Sequence, residues 1–554
     1  MRQPRPTPLL ALLVCLAAAA APGTAGETPR CPPGTRIGAI RIERVNVFDT
    51  AIPEENTPLF RLVNVLHRPM LTRASTIRSL LTIHEGEPCR SDRLEEAERT
   101  LRAQRFVQDA WVRVERRDQE VVDVLVRVQD AWSTRLRLSF SSQGGANRST
   151  FRILENNLLG TGSRLSWERQ SDEDRVERTF SYENPALGSS HWRLVLEDSD
   201  NSDGYARLVQ LERPFWRLDE RRSFAMLAFE NRREEKVYDC PGGGAGPCPR
   251  VVEVDRWAAD RRGGLVGFGW SPRGLVGDRL WRLFGGLRHE QVRWTPVGNG
   301  GLALRPDLAP RDARQTFLTL EARWERIDFR RVSFFNTARR IEDLDVGDRF
   351  NAGAWIANSL WSDDEALTLF VRGRRTVAFG PRSFLFLGAG WSGRWLRGDS
   401  YARVGELELG YLVKPAPLQA LFGRLVVSIG DELEGPFRFV IGGGKGARAY
   451  ASRSFAGSRR LVLNLEHRFF APWYILRLVR VGLVGFVEAA GAWDAGDPVS
   501  WNTLHAGVGV GLRFQIIRSA DGTTIHLNAA WPVGPDAGEG NEGVRFSVLT
   551  ATTF

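Results

Sequence analysis

From residue 131 onward the chain alternates apolar and polar side chains with a period of two. Leu136, Leu138 and Phe140 stand opposite Arg135, Arg137 and Ser139, and Leu318, Leu320, Ala322 and Trp324 stand opposite Thr319, Glu321, Arg323 and Glu325. Near the end, Ala506, Val508, Val510, Leu512 and Phe514 oppose Gly507, Gly509, Gly511, Arg513 and Gln515, and Ile525, Leu527, Ala529 and Trp531 oppose His526 and Asn528. Successive residues of a β-strand point to opposite faces, so each run predicts a ribbon with one apolar and one polar side. Turn clusters such as Asn184-Pro185 and Asp497-Pro498 separate the runs. Charge facing a wet interior and apolar side chains facing lipid are what a membrane barrel requires. The pattern therefore predicts a mainly β protein, with a transmembrane antiparallel β-barrel over residues 131–554. At roughly ten residues per strand plus turns and loops, about 12 to about 20 strands fit.

Residues 34–130 read differently. Ile37, Ile40 and Ile42 open a strand, residues 76–83 give a short helix ending at Gly86 and Pro88, and Asp92 is placed to cap a second helix with Glu95 three residues on. Leu94, Ala97 and Leu101 mark the buried face of that helix. Two strands follow, with Ala110, Val112 and Val114 on the first and Val122, Val124, Val126 and Val128 on the second, joined through residues 117–120. The predicted order is β-α-α-β-β, a small α+β unit.

The stretch 438–494 carries the most specific signal. Leu461, Leu463 and Leu465 alternate with Val462, Asn464 and Glu466, and Arg468 shares the face of Glu466. Val481, Leu483, Val487 and Ala489 face away from Glu488. Before these strands, glycines at 442, 443, 444 and 446 exclude a strand core and predict a loop. Its tip, Ala447-Arg448-Ala449-Tyr450, and the strand motif Phe486-Val487-Glu488-Ala489-Ala490 resemble the BamA/TamA superfamily of outer-membrane insertases and two-partner secretion pores, also called the bacterial surface antigen family. In that family a Val-Arg-Gly-Tyr/Phe tip folds into the barrel, where its arginine meets the acidic residue of a Phe-x-Asp-x-Gly strand. Here Ala449 replaces the tip glycine, Glu488 the aspartate and Ala490 the last glycine. The resemblance implies an Arg448–Glu488 pair in the lumen and favours 16 strands.

Further matches follow in the family's order. Residues 155–162 and Tyr182-Glu183-Asn184-Pro185 resemble its early strand-turn motifs, and 34–130 resembles one POTRA domain, the periplasmic module that takes up clients by sheet-edge addition. Val544, Phe546, Val548, Thr550, Thr552 and Phe554 form a last strand resembling the signal read by barrel-assembly machinery. The implied partners are outer-membrane lipid and lipopolysaccharide, an unfolded or exported protein client, and the assembly machinery itself.

Composition narrows this further. Residues 1–25 read as a secretory leader, with Arg2 and Arg5 before an apolar run and small residues through Ala25. Beyond them no uncharged apolar run reaches the roughly 18 residues of a membrane-spanning helix. With Cys15 in the leader, four cysteines remain in a compartment that permits disulfides, and Cys240 with Cys248 and Cys31 with Cys89 are the suggested pairs. The net charge of +10 comes almost wholly from arginine, since only Lys236, Lys414 and Lys445 are lysines. The arginines are scattered through strands and loops instead of clustered, which argues against nucleic acid, while guanidinium suits the phosphates of lipopolysaccharide.

Catalytic chemistry finds no support. Lys445 within glycines 442–446 lacks the following Ser or Thr of a phosphate loop, and Gly507, Gly509 and Gly511 lie within a strand. No metal-ligand spacing or cofactor motif stands out, so the expectation is a non-enzymatic outer-membrane barrel with its small domain in the periplasm. The rival class is a passive solute pore or structural surface barrel, in which the small domain only obstructs the opening.

Overall fold

The computed structural model describes residues 31–554 apart from 118–119, 144–145, 173, 240–251, 298–310, 334–340, 434–437, 444–445, 452–453, 477, 497–503, 517–523, 534–542 and 552–554. The leader, Cys240, Cys248 and Phe554 lie outside the described residues.

The first unit contains β1 (Arg36–Val45), α1 (Pro58–His67), α2 (Ala74–Leu80), α3 (Ser91–Arg102), β2 (Val107–Arg117) and β3 (Val121–Asp130). Its sheet has the order β1-β3-β2, with β1 parallel and β2 antiparallel to the central β3. The alternating valines explain this arrangement: Val122, Val124, Val126 and Val128 are fully buried against Ile77, Leu80, Leu94, Ala97 and Leu101 of the helices. Two expectations are corrected. An additional helix, α1, precedes the two that the sequence predicts. Asp92 does not cap α3 either: the cap position is Arg90, without a side-chain cap bond, and Asp92 sits in the first turn and accepts from Arg90. Cys31 and Cys89 are disulfide-bonded with their Cα atoms 5.6 Å apart, tying the segment before β1 to the turn before α3. Closing a loop of this length opposes unfolding by roughly 2–4 kcal/mol.

Apart from two small hairpins, the rest of the described strands form one antiparallel meander curled into a barrel. Twenty strands follow one another from Thr134–Gln143 to Arg545–Ala551, the two-residue piece Leu275–Val276 being a twenty-first segment of the same sheet, and the last strand lies beside the first. The count exceeds the 16 that the resemblance favours. Six of the strands, those between residues 134 and 213, have only eight to ten residues each, so more of them fit the same length.

The two faces separate as the alternation requires. Leu136, Leu138, Leu320, Leu483, Val487, Val510 and Leu512 are exposed on the outside, whereas Thr319, Glu325, Arg468, Glu488, Arg513, Gln515 and Asn528 are buried on the inside.

The α+β unit docks at the end of the barrel where Thr134–Gln143 begins. The turn at Leu158–Gly160 meets it closely: Gly160 O accepts from Arg73 N at 2.9 Å and Thr76 Oγ1 at 2.8 Å. With φ of 73° and Leu71 O within 2.3 Å of where a Cβ would stand, only glycine fits there. On the opposite side, α3 faces a short hairpin, Phe329–Ser333 with Ile341–Asp345, between two barrel strands. Arg102 grips Asp343 through two bonds of 2.9 Å, Arg331 reaches Glu98 at 2.7 Å, and the guanidinium of Arg99 lies 4.3 Å over the Phe329 ring. Arg93 also binds Asp219 in the turn before Arg222–Asp239. Burial pushes the Asp219 carboxyl up, but the hydrogen bond and charge of Arg93, together with Arg217, outweigh it and hold the group below the ordinary carboxylate range.

Candidate functional site in the barrel interior

Between the strands Gln419–Asp431 and Arg459–Ile475 the chain returns toward the sheet. A small ribbon, Phe439–Ile441 paired with Phe455–Gly457, carries it there. At the tip, Tyr450 N donates to Ala447 O at 3.1 Å, closing a reverse turn over Arg448 and Ala449. Ala447, Ala449 and Tyr450 are each at most 1% exposed, packed with Val426, Ile441, Val462, Val484, Phe486, Ala490 and Ala530. The tip thus rests on the inner face of the wall, opposite the exposed leucines and valines.

Arg448 Nε donates to Glu488 Oε2 at 3.0 Å and Nη1 donates to Glu466 Oε1 at 2.7 Å. The guanidinium plane also covers Phe486, 3.6 Å from the ring centroid. Glu466 is held in turn by Arg468, whose Nε lies 2.8 Å from Oε2. Glu488 uses its second oxygen to accept from Ala449 N at 2.9 Å. Two carboxylates and two guanidinium groups therefore neutralise one another, and each carboxylate oxygen has a donor, as burial demands.

The register explains how strands assemble this cluster. Glu466 pairs with Phe486 and Asn464 with Glu488 on the antiparallel strands Arg459–Ile475 and Val479–Trp493, so both acids face inward on diagonal positions. On the next strand, His505–Ile516, Gly507 lies opposite Glu488. A Cβ added to Gly507 would come within 2.6 Å of the Ala449 methyl group. The glycine that the tip lacks is therefore matched by one in the wall, and the methyl of Ala449 occupies the space. Gly507→Ala should displace the tip and raise hydrogen exchange across residues 446–451 on a natively assembled barrel, and adding Ala449→Gly should restore protection. Unchanged exchange in the single variant would contradict this packing.

Tyr450 anchors the far side: its hydroxyl donates to Ala506 O at 2.8 Å, and its ring meets Phe455 and His505, which stack on each other at 3.5 Å. A polar chain also continues from the site's neighbourhood toward the last strand. Arg513 Nη1 donates to Asn528 Oδ1 at 2.8 Å, and Asn528 Nδ2 donates to Ser547 Oγ at 3.2 Å.

The structure thus brings together Ala447, Arg448, Ala449, Tyr450, Glu466, Arg468, Phe486 and Glu488. Sequence reasoning places Glu466 and Arg468 on the inner face but does not identify Glu466 as a second partner of Arg448; their shared inward parity with Glu488 on a neighbouring strand is the signal that points to it. Phe546 and Val548 stand apart, exposed on the outside of the last strand. Among the described residues no group of three or more His, Cys, Asp or Glu is placed to hold a metal ion.

No family model matches the chain, and no curated protein matches it. Among solved structures it is similar to BamA from Haemophilus ducreyi lacking POTRA domains 1–3, with a TM-score of 0.39 and 14% identity over 93% of this chain and 84% of that one. It is also similar to CdiB from Escherichia coli, with a TM-score of 0.46 and 12% identity over 93% of this chain and 76% of that one. CdiB from Acinetobacter baumannii gives a TM-score of 0.44 and 12% identity over 93% and 74%. Likeness at this level assigns no activity by itself.

Proposed function

We propose that this chain is an outer-membrane barrel of the BamA/TamA kind that inserts or translocates protein substrates, and that it is not an enzyme. The observation that carries the reading is the tip itself: Arg448 bridges Glu466 and Glu488 on the inner wall. A loop fixed inside a barrel by a buried four-charge cluster obstructs the interior, which suits controlled passage better than free diffusion. In this reading residues 34–130 are a single periplasmic POTRA domain. An extended client adds to an edge of the domain's sheet, β1 or β2, a mode tolerant of client sequence, although Glu98 and Arg102 already hold Val112 N and Ala110 O on β2. Lipopolysaccharide meets the arginines of the outer loops, and barrel-assembly machinery reads the C-terminal strand.

A passive solute pore or structural barrel is the second reading. The clasp of Arg102 and Arg331 on Asp343 and Glu98 favours it, because a unit held so firmly at the opening resembles a stopper.

Both readings require a membrane barrel. The protein should fractionate with the outer membrane and migrate faster on gels before boiling, since a ring with all its backbone bonds satisfied resists detergent. Recovery in the soluble periplasm would contradict them.

A further inference from the structure

We propose that α1 is an interfacial helix that lies in the periplasmic leaflet of the bilayer beside the barrel, an inference that rests on reading the barrel as membrane-spanning. The helix has two apolar faces. One is used within the protein: Phe60 packs with Val47 and Phe48 and against Val63, Trp132 and Leu478. The other is not, for Leu59, Leu62, Val65 and Leu66 are 42%, 54%, 65% and 60% exposed. Four large aliphatic side chains contiguous on one short helix are uncommon on a surface that meets only water.

The position of α1 identifies what covers them. Leu478 belongs to a barrel turn, and the residues just before it, Trp473, Ile475 and Leu476, are themselves exposed at 58%, 43% and 74%. Beyond the other end of α1, Asn157 Nδ2 donates to Met70 O at 2.7 Å, and Leu159 N lies 3.3 Å from Met70 Sδ. Leu159 is exposed too, in the turn between the strands Ala146–Glu155 and Arg164–Ser171. Helix α1 therefore lies between two barrel turns that themselves expose apolar side chains. No acidic residue lies within the helix, and the exposed Arg61 and Arg68 flank the stripe where lipid phosphates would stand. An amphipathic helix with aliphatic residues on one side and arginines beside them has the composition of an interface binder.

The test uses the full chain in phosphatidylcholine vesicles, with Cys240→Ser and Cys248→Ser so that a single introduced cysteine carries an environment-sensitive fluorophore. Position 62 (Leu62→Cys) probes α1, position 487 (Val487→Cys) probes the barrel exterior, and position 113 (Arg113→Cys), exposed on β2, probes the aqueous side. Brominated lipid should quench the probe at 62 at least half as strongly as that at 487, and leave 113 unchanged. Quenching at 487 with 62 behaving like 113 would overturn the inference while leaving the membrane barrel intact; a stripe reserved for a protein client would give that result. Absence of quenching at 487 would overturn the membrane reading, and this inference with it.

Discussion

Arg448→Ala should leave a barrel that still assembles and still shifts on heating, but whose loop is no longer fixed to the wall. Glu488 is 1% exposed and would keep only backbone amide donors of the tip, while Glu466 would retain Arg468. Removing one member of a buried pair leaves its partner uncompensated at about 3–5 kcal/mol, less where water can follow. Hydrogen exchange of residues 446–451 should accelerate correspondingly, by about two orders of magnitude or more, and on the transport reading proposed above handling of a client should fall. Glu488→Ala should act in the same direction, and the double change should cost less than the sum because both remove the Arg448–Glu488 pair. Arg448→Lys should rescue poorly, since an ammonium cannot bridge both carboxylates in a planar fork while lying flat on Phe486. Exchange at the tip that is the same in wild type and Arg448→Ala would contradict the cluster's role.

The second large effect concerns the meeting of the first and last strands. The last described strand, Arg545–Ala551, lies beside the first, Thr134–Gln143, so a seam joins the two ends of the sheet. If the protein transfers a client into the membrane through the wall, as the transport reading proposed above allows, this seam must part. Paired cysteines at 136–138 and 546–548, screened for the pair that bridges, should lock it and abolish transfer, with recovery on reduction. Bridged protein that transfers client undiminished would favour the passive pore.

The barrel is legible in the sequence because a strand's period of two assigns every residue to a face, so alternation alone turns Glu466, Arg468 and Glu488 inward, whereas the pairing of Arg448 with Glu488 is read from the resemblance of the tip and wall motifs to the family's. What the chain does not reveal comes from sites where tertiary contacts decide. Helix α1 escapes the pattern because its leucines face away from the core that helical periodicity is used to locate. The hairpin Phe329–Ser333/Ile341–Asp345 has strands of five residues rich in Arg and Asp, a composition that reads as a turn until Arg102 and Glu98 of α3 are found opposite. The strand number depends on how tightly the hairpins turn, which alternation does not fix. The compensation of Ala449 by Gly507 needs the register of two strands against a loop, information that no local pattern holds.

The most direct test of protein transport is to remove the chain from the cell that produces it and to quantify the outer-membrane and secreted proteins against the uptake of small solutes. Loss of one protein or a small set from those fractions, with solute uptake unchanged and with Arg448→Ala failing to restore them, is the predicted result. An unaltered set of surface and secreted proteins accompanied by impaired solute uptake would contradict it.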